Sequence, residues 1–364
     1  MKIILKQENL KNGLQVAGRI IGNTNTLPIL NNVLLKTDSG LLYITSTNLE
    51  IGLRTQVRCK VEEEGEVCLP AKIITELVSA LPSGNIEIET TETGVQIRTD
   101  NYKTKIHSLP SDEFPMIPQI ERKHVLTLPA QEFKKALESV IFAASTNETQ
   151  PEISGVLLKT DNIGIRLVAT DRYRLAEKIA PLPSTEEKEV IIPHRTVQEI
   201  IRVIGQQLID FELILTETQL AVVLGETEIV SRLVDGQYPP YQQIIPETAN
   251  STIVVETQGL LAALKTSGIF SKSSNSVVLD YNSEDKIVKI SSSSHDLGES
   301  TITVPAEISG ESGVVLLNHR YVIEALQTIT DSHVVIKVVS DSAPVIFTPQ
   351  KTTGYLYLVM PIKN

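Results

Sequence analysis

One six-residue sequence occurs twice, letter for letter, in this chain: Val33-Leu34-Leu35-Lys36-Thr37-Asp38 and Val156-Leu157-Leu158-Lys159-Thr160-Asp161. The two copies lie 123 residues apart in a chain of 364 residues, so their spacing is about one third of the length. This period is far longer than the ~20–50 residues of a solenoid repeat, and it matches the size of a complete domain with its own core. The sequence therefore predicts three tandem domains of similar structure.

A second landmark keeps the same period. The segment Cys68-Leu69-Pro70-Ala71-Lys72 precedes a helical pattern, and Ile191-Ile192-Pro193-His194-Arg195 follows it by 123 residues. Leu316-Leu317-Asn318-His319-Arg320 follows after a further 125 residues. In the third repeat the six-residue sequence has become Val277-Val278-Leu279-Asp280-Tyr281-Asn282, which keeps the order of apolar residues before polar ones. Two landmarks with one offset favour a threefold repeat, with domains at 1–120, 125–246 and 250–364 and polar linkers at 118–124 and 246–251.

Hydrophobic periodicity gives the elements of each repeat. Apolar residues at helical spacing predict six helices, at 8–21, 71–81, 131–145, 194–204, 257–272 and 318–329. Alternating apolar runs between turn residues predict the strands of the first repeat at 2–6, 31–37, 41–46, 50–60, 66–69, 85–90, 94–98 and 103–107. Two helices with many strands in each repeat indicate an α+β fold, in which two helices pack on antiparallel sheets.

Composition restricts the class of protein. The chain is 41% hydrophobic and 21% charged, without an apolar run of 18 residues, so we expect a soluble globular protein with no membrane partner. Residues 1–7 are too short and too polar for a signal peptide. Two cysteines, Cys59 and Cys68, cannot form a disulfide framework for three domains, which favours a reducing, cytoplasmic location.

Charge is distributed unevenly. The chain carries a net charge of −11, which alone argues against nucleic acid. The six predicted helices nevertheless carry +4, and the remainder carries −15. Solvated helix faces explain this distribution without any function. A second interpretation is that the helices form a mildly basic surface suited to a phosphate backbone without base reading. The basic residues of the helices are Lys11, Arg19, Lys72, Lys134, Lys135, Arg195, Arg202, Lys265, Lys272 and Arg320.

Catalytic and cofactor signatures are scarce. The sequence lacks a Walker-type loop and a GxGxxG motif, and its six histidines are dispersed, so we expect no cofactor and no metal. Asp112-Glu113 is typical of a solvated turn. Asp171, between a predicted strand and Arg172 and Arg174, is typical of a turn-forming residue with a local ion pair. A hydrolase using Asp171 is a weak alternative because no partner base accompanies it.

Two segments are typical of recognition surfaces. Prolines and tyrosines stiffen Asp235-Gly236-Gln237-Tyr238-Pro239-Pro240-Tyr241-Gln242-Gln243-Ile244-Ile245-Pro246. The C-terminal segment, Tyr355–Asn364, is apolar almost to its end, although chain ends usually fray. Positions 355–359 fit a core strand. Met360-Pro361-Ile362 cannot all point inward, so we expect an exposed apolar tail suited to an adaptable peptide-binding groove.

These segments carry a specific resemblance. Over its whole length the chain resembles the bacterial DNA polymerase III beta subunit family, the sliding clamps, through Leu27-Pro28-Ile29-Leu30, Ala169–Ala176, Asp235–Pro246 and Val359-Met360-Pro361-Ile362. The resemblance implies a head-to-tail homodimer whose six domains form a ring around duplex DNA. It implies no catalysis. It also implies a cytoplasmic, nucleoid-associated protein that tethers the replicative polymerase and is seated by a clamp loader.

The resemblance also implies a pocket for short apolar linear motifs between the second and third domains. Carried over by motif, its residues are Ile153, Thr170, Arg172, Tyr173, Arg174, Leu175, Pro239, Gln243, Ile244, Asn318, Tyr321, Pro344, Leu358, Met360, Pro361, Ile362 and Lys363. Arg172-Tyr173 stands where many members have a small residue followed by His, and Gln243 stands where Arg is common. The implied users are the polymerase III catalytic subunit, the clamp loader, other polymerases and repair proteins.

DNA and dimer contacts follow from the same resemblance. Asn23, Thr24 and Asn25 occupy the loop where the family often has an Arg that reaches into the hole. The remaining DNA-facing candidates are Lys72, Asn147, Arg195 and Arg202. Ile269 and Phe270 match the family's apolar dimer pair, or they belong to an ordinary core. The alternative from a different class is a repeat-built peptide-binding adaptor without a DNA role, which predicts a monomer.

Overall fold

The computed structural model describes residues 1–21, 27–118, 120–147, 149–182, 187–271 and 274–363. In this described part the helices are α1 (Gln7–Ala17), α2 (Ala71–Ala80), α3 (Ala130–Ile141), α4 (His194–Ile204), α5 (Thr257–Ser267) and α6 (His319–Thr328). The strands are β1 (Lys2–Lys6), β2 (Asn32–Asp38), β3 (Leu41–Thr47), β4 (Ile51–Arg58), β5 (Lys60–Glu63), β6 (Glu66–Pro70), β7 (Asn85–Thr91), β8 (Gly94–Arg98), β9 (Lys103–His107), β10 (Val125–Pro129), β11 (Gly155–Thr160), β12 (Ile165–Thr170), β13 (Arg174–Ala180), β14 (Lys188–Pro193), β15 (Asp210–Leu215), β16 (Gln219–Leu224), β17 (Thr227–Arg232), β18 (Ser251–Glu256), β19 (Ser276–Asn282), β20 (Ile287–Ser294), β21 (Gly298–Gly310), β22 (Gly313–Asn318), β23 (His333–Val338), β24 (Val345–Pro349) and β25 (Tyr355–Val359).

The repeated six-residue sequence forms the same element each time. It lies in β2 in the first repeat, in β11 in the second except for Asp161, which follows the strand, and its altered third copy lies in β19. Each of these strands pairs antiparallel with the strand that follows it, and that strand pairs with the next. The strands β4, β13 and β21 therefore occupy the same place in the three repeats.

The chain divides into two compact units rather than three. One unit comprises Met1–Gln131 with Gln198–Leu233, and the other comprises Glu132–Val197 with Val234–Asn364. The borders fall inside α3 and α4, so the second repeat contributes to both units. Sequence repeats and compact units consequently do not coincide.

The first unit contains two sheets. One has the strand order β5-β1-β7-β8-β9, and the other has the order β10-β15-β16-β17-β4-β3-β2-β6. In the second sheet β17, the last strand of the second repeat, pairs antiparallel with β4 of the first repeat. Helix α1 presents the fully buried Leu10 and Leu14 to the core at helical spacing. This unit joins strands from two repeats through backbone hydrogen bonds.

The second unit contains one twelve-stranded sheet, ordered β14-β11-β12-β13-β25-β24-β23-β18-β21-β20-β19-β22. Here β25, the last strand of the third repeat, pairs antiparallel with β13 of the second. Helix α3 buries Phe133, Leu137 and Val140 completely, at positions i, i+4 and i+7. The rule that joins β17 to β4 thus also joins β25 to β13.

Three helices end four or five residues before the sequence predicts. The helix predicted at 8–21 ends at Ala17, although Ile20 beyond it is fully buried, so the apolar spacing continues where the helix does not. The helix predicted at 131–145 ends at Ile141. The helix predicted at 257–272 ends at Ser267 and passes into a 3-10 helix at Gly268–Ser271. Tight packing fixes this change, because a Cβ at Gly268 would lie 2.6 Å from the His319 ring.

The single strand predicted at 50–60 is wrong. The chain changes sheets at Cys59, so that β4 pairs with β3 and β17 whereas β5 pairs with β1. The apolar alternation continues through Cys59 and gives no sign of the change. Cys59 and Cys68 are both free thiols, and burial raises the pKa of both, that of Cys68 to about 12.

The helical charge excess is smaller than the sequence indicates. Arg19 lies two residues beyond the end of α1, and Lys272 lies outside the described residues. The helices as described retain eight basic and six acidic side chains, a net charge of +2 rather than +4. Arg19 donates to the Arg202 carbonyl oxygen at 2.9 Å. The helices therefore carry a net positive charge, as predicted, but its size is half the predicted value.

Candidate functional site

A tight turn between β12 and β13 presents the first group of predicted site residues. The Asp171 carboxylate accepts hydrogen bonds from the backbone N–H groups of Tyr173 and Arg174, each at 3.0 Å. The Thr170 hydroxyl accepts one from the N–H of Arg172, whose φ of 77° is left-handed. The prediction that Asp171 forms a turn is confirmed. The Arg172 and Tyr173 side chains are exposed, Tyr173 by 65%.

Arg174 is a fixed cation at the start of β13. Its Nε donates to Asp171 Oδ2 at 2.9 Å, and its Nη2 donates to the Phe142 carbonyl oxygen at 2.7 Å. Its Nη1 pairs with the Glu324 carboxylate of α6. The guanidinium also lies 4.3 Å from the centroid of the Tyr321 ring. With a side chain only 11% exposed, Arg174 connects β13, the end of α3 and α6.

The C-terminal segment runs beside this turn. In the β13–β25 ladder Leu175 lies opposite Leu358. Beyond β25 the Met360 N–H donates to the Tyr173 carbonyl oxygen, and the Ile362 N–H donates to the Leu316 carbonyl oxygen, each at 2.8 Å. The expectation of an exposed tail is wrong, because these bonds hold it: Pro361 is buried, and Met360 and Ile362 are half-buried.

An apolar cluster lies under the turn and the tail. Met360 packs against it from the edge, together with Val234, Ile245 and Leu356. The 3-10 helix Tyr241–Ile244 holds its aromatic side. The cluster consists of Leu157, Val168, Leu175, Ile191, Tyr238, Tyr241 and Leu358.

One buried carboxylate, Glu177, accepts two hydrogen bonds at the edge of this cluster. The Tyr241 hydroxyl donates to Glu177 Oε2 at 2.5 Å, and Arg166 Nη1 donates to the same oxygen at 3.0 Å. Burial, followed by the contact with Glu177, raises the pKa of Tyr241. Tyr238 donates to the Val168 carbonyl oxygen at 3.3 Å, and burial raises its pKa too. Both phenols therefore act as neutral donors.

The structure brings only part of the predicted pocket together. Leu175, Leu358 and Met360 meet in the cluster, beside the turn Thr170–Arg174. The other predicted residues lie as follows: Ile153 is buried and bonded to the Gln150 carbonyl oxygen, Asn318 caps α6, Tyr321 lies under Arg174, Pro344 is half-buried, and Pro239, Gln243, Ile244 and Lys363 are exposed.

Several site residues were missed by the sequence. Ile245 packs on the cluster, whereas the predicted Ile244 is 45% exposed. Tyr238 and Tyr241 lie in the segment already identified as a recognition surface, so their aromatic character was an available signal. Phe142 and Glu324 hold Arg174 from 32 and 150 residues away. No local pattern identifies such partners.

The predicted DNA-facing residues differ in exposure and in their contacts. Asn23 and Thr24, with Asn25, lie outside the described residues. Lys72 and Arg195 are exposed on α2 and α4. Asn147 is exposed, and its side-chain oxygen accepts from the Thr149 N–H at 3.0 Å and hydroxyl at 2.8 Å. Arg202 pairs with the buried Glu199 at 2.5 Å, which offsets its charge.

The predicted dimer pair lies on the 3-10 helix Gly268–Ser271 rather than on an α-helix. Ile269 is 56% exposed and Phe270 is half-buried, which argues against an ordinary core for Ile269. An exposed apolar residue in the first unit was missed: Ile73, on α2, is 53% exposed.

Nothing in the described ranges resembles a catalytic centre built on these groups. The Asp171 carboxylate accepts hydrogen bonds from two backbone N–H groups and pairs with Arg174, so its contacts are those of a turn-forming residue. No group of three His, Cys, Asp or Glu among the residues described could hold a metal ion. In the same residues no helix is long and apolar enough to cross a membrane.

Comparison with known proteins gives matches over the whole chain. Three family models match: the N-terminal, central and C-terminal domains of the DNA polymerase III beta subunit, at residues 1–118, 127–240 and 242–363. The beta sliding clamps of Synechocystis sp. and Synechococcus elongatus are 30% and 31% identical, and the alignments cover 100% of this chain and 99% of each relative. A crystal structure of the Bacillus subtilis DNA polymerase sliding clamp is 25% identical with a TM-score of 0.96, covering 100% of this chain and 99% of that one.

Proposed function

Because the chain belongs to the bacterial DNA polymerase III beta subunit family, the sliding clamps, we propose that two copies close around duplex DNA and present their pockets to replication proteins. The chain is a non-catalytic processivity factor. Its domains correspond to residues 1–120, 125–246 and 250–364. The observation that carries the proposal is the match over the entire chain, together with the strand pairing that links successive repeats.

The pairing rule predicts how two copies meet. The last strand of the second repeat, β17, pairs with β4, and the last strand of the third, β25, pairs with β13. By this rule β9, the last strand of the first repeat, and β21, in the third repeat, each lack one partner strand. β9 is an outer strand of its sheet. Among the described strands, the Gly298–Pro305 half of β21 pairs only with β20. An exposed strand edge is a template for pairing with another chain. We infer that β9 of one copy pairs with β21 of the other, head to tail.

Charge and apolar exposure support this pairing. In this comparison β21 is equivalent to β13, and β9 is equivalent to β25. If β21 and β9 pair in the same register as β13 and β25, Glu299 of β21 lies opposite Lys105 of β9. Both side chains are exposed in the single chain. Ile73 and Ile269 provide apolar surface in the same two repeats, the first and the third. Opposite charges and apolar patches favour closure and select its orientation.

A charge exchange tests this interface. Lys105→Glu and Glu299→Lys are each expected to shift the protein from dimer to monomer in native mass spectrometry, and the double variant is expected to restore the dimer. Lys60→Glu, on the opposite edge of the same sheet as Lys105, is the control and should leave the dimer intact. Single variants that remain fully dimeric contradict the strand pairing but leave the clamp function standing.

We also propose the pocket as the binding site for linear motifs. The turn Thr170–Arg174 and the anchored tail Leu358–Lys363 form its sides, and the apolar cluster forms its floor. Its partners are the polymerase III catalytic subunit, the clamp loader, other polymerases and repair proteins. The exposed Arg172, Tyr173 and Gln243 form the rim, which selects among motifs. Met360→Ala is expected to weaken binding of an apolar peptide about tenfold, measured by fluorescence anisotropy, because it removes the adaptable side chain beside the floor.

The retention of the protein on DNA tests the central function. A closed ring holds DNA by topology, so weak electrostatic contacts suffice. After loading, we expect the protein to remain on nicked circular DNA and to leave within minutes once the DNA is cut to a linear form. Equal retention on both forms contradicts encirclement. A protein that binds motif peptides yet stays monomeric and is never retained supports the adaptor alternative. In the cell the proposed location is the cytoplasm, at the nucleoid during replication.

A further inference from the structure

A separate cavity lies in the second unit, on the face of β13 that α3 covers. Its volume is about 520 Å³, which is within the range of small-molecule sites. One wall is a face of α3, and another is the end of α6 with the segment that follows it. The charged residues of the lining are Glu132, Lys135, Glu138, Lys178 and Asp331, and the remaining lining is polar or apolar. None of these residues belongs to the pocket described above.

Lys178 lies on the strand that forms the floor. In the β13–β25 ladder it stands directly opposite Tyr355, so both side chains project from the same face of the sheet into the cavity. Lys178 is half-buried. Among the described residues it has no hydrogen-bond partner and no acidic group within 4.0 Å. Burial lowers the pKa of its ammonium group, and no neighbouring charge opposes that shift.

Two of the three acidic groups that line the cavity have partners other than Lys178. Glu138 lies 3.7 Å from Lys134 on α3. The Asp331 carboxylate accepts hydrogen bonds from the N–H groups of Lys351 and Thr352, at 2.6 and 2.9 Å, and from the Thr352 hydroxyl at 2.6 Å.

On the α3 wall the acidic Glu132 and the basic Lys135 both line the cavity. None of these carboxylates lies within 4.0 Å of the Lys178 ammonium group, so this cation has no ion-pair partner among the described residues of the lining. A half-buried cation without an acid is costly, and an anion entering the cavity would remove that cost.

The remaining lining is suited to an apolar body. Ala136, Ala180, Ile329 and Tyr355 are buried, and they contribute aliphatic and aromatic surface around Lys178. The Tyr355 hydroxyl is already engaged, because the Thr328 hydroxyl donates to it at 3.0 Å. A ligand there would contact α3, β13 and the segment after α6 at once.

We propose that this cavity binds a small amphipathic organic anion, whose acidic group pairs with Lys178 Nζ and whose apolar body lies between Ala136 and Ile329. The site goes beyond the motif pocket and does not depend on it. Binding at once to segments from the second and third repeats stabilises the unit according to the ratio of ligand concentration to Kd.

The probe for this site is 8-anilinonaphthalene-1-sulfonate, an aromatic sulfonate that fluoresces when it enters an apolar site. Lys178→Met keeps the side-chain stem and removes the charge, and it is expected to weaken binding about tenfold or more, since the charge-assisted hydrogen bond to the sulfonate is lost. Ser139→Leu fills the cavity and is expected to abolish the signal.

Lys188→Met is the matched control: Lys188 is a half-buried lysine on β14 of the same sheet, and its replacement should leave the affinity unchanged. Circular dichroism verifies that each variant is folded. Unaltered affinity in both Lys178→Met and Ser139→Leu shows that the probe binds elsewhere and overturns the proposal. The absence of saturable binding to the wild-type protein overturns it as well.

Discussion

Each end of β13 carries a positively charged side chain, but in the described part of the chain only one of these two side chains has ion-pair partners. Arg174 and Lys178 are four residues apart and project from the same face of the strand. Arg174 is held by two carboxylates, a carbonyl oxygen and an aromatic ring. Lys178 lines a cavity, and among the described residues no carboxylate lies within 4.0 Å of its ammonium group. A half-buried cation is thus a structural cross-link at one end of the strand and a candidate ligand site at the other.

The difference arises from the elements above the strand. At the Arg174 end, the chain leaving α3 turns its Phe142 carbonyl oxygen towards the guanidinium, and α6 contributes Glu324 and Tyr321. At the Lys178 end, α6 stops at Thr328. The cavity lining that follows α6 in sequence contains one carboxylate, Asp331, and it accepts hydrogen bonds from Lys351 and Thr352. Partners supplied by distant elements, rather than the cation itself, decide between the two roles.

The largest expected effect comes from removing the partnered cation. Arg174→Met leaves the largely buried Asp171 without its counter-charge, and breaking a buried pair on one side costs about 3–5 kcal/mol. Glu324, whose side chain is 44% exposed, adds little to that loss. We expect a lower midpoint of urea unfolding and faster amide exchange in β13. Arg320→Met, at an exposed arginine of α6, is the control and should change stability by less than about 0.5 kcal/mol. Equal effects of the two variants would remove the contrast between the strand ends.

An intermediate effect tests a buried charge on the other face of β13. Tyr241→Phe removes the hydroxyl that donates to Glu177, while Arg166 remains paired with that carboxylate. A hydrogen bond to a charged group contributes about 1.5–3 kcal/mol, and the surviving ion pair places the expected loss near the lower limit. Thermal unfolding measures it. Tyr43→Phe, in the first unit, serves as the control because its hydroxyl is in none of the hydrogen bonds described. No loss in Tyr241→Phe would mean that Arg166 alone satisfies Glu177.

The smallest expected effect is a gain in stability rather than a loss. Lys178→Met removes an unpartnered cation, so we expect a gain of about 0.5 kcal/mol at neutral pH, a small value because solvent screens a half-exposed charge. Burial lowers the folded-state pKa of Lys178 below its ordinary value of 10.5, so the unfolded chain binds more protons in that window. The wild-type protein should therefore approach the variant in stability as the pH rises through the lowered pKa towards 10.5. Urea unfolding of both proteins across this range measures it, and a constant difference would contradict an uncompensated charge.

The sequence predicted those features that local pattern controls. The repeated Val-Leu-Leu-Lys-Thr-Asp lies on equivalent strands, helices follow Pro70, Pro193 and Asn318 as expected, and Asp171 forms its turn. It did not predict the change of sheet at Cys59, because apolar alternation continues through the change. It also identified Arg174 without its partners Phe142 and Glu324, since such contacts depend on long-range packing. The anchored tail was missed for the same reason: the Tyr173 and Leu316 carbonyl oxygens that hold it are far away in sequence.

The pairing of β4 with β17 and of β13 with β25 has a practical consequence for anyone who wishes to divide this protein. Each fragment produced by cutting at the two linkers would contain a sheet strand that has lost one of its partner strands. Residues 1–120 would lose the neighbour of β4, and residues 250–364 would lose that of β25. Severed edges of this kind invite aggregation. A fragment that keeps the hydrogen-bonded strands together has to contain parts of two repeats, so we expect a single sequence repeat to aggregate when it is expressed alone.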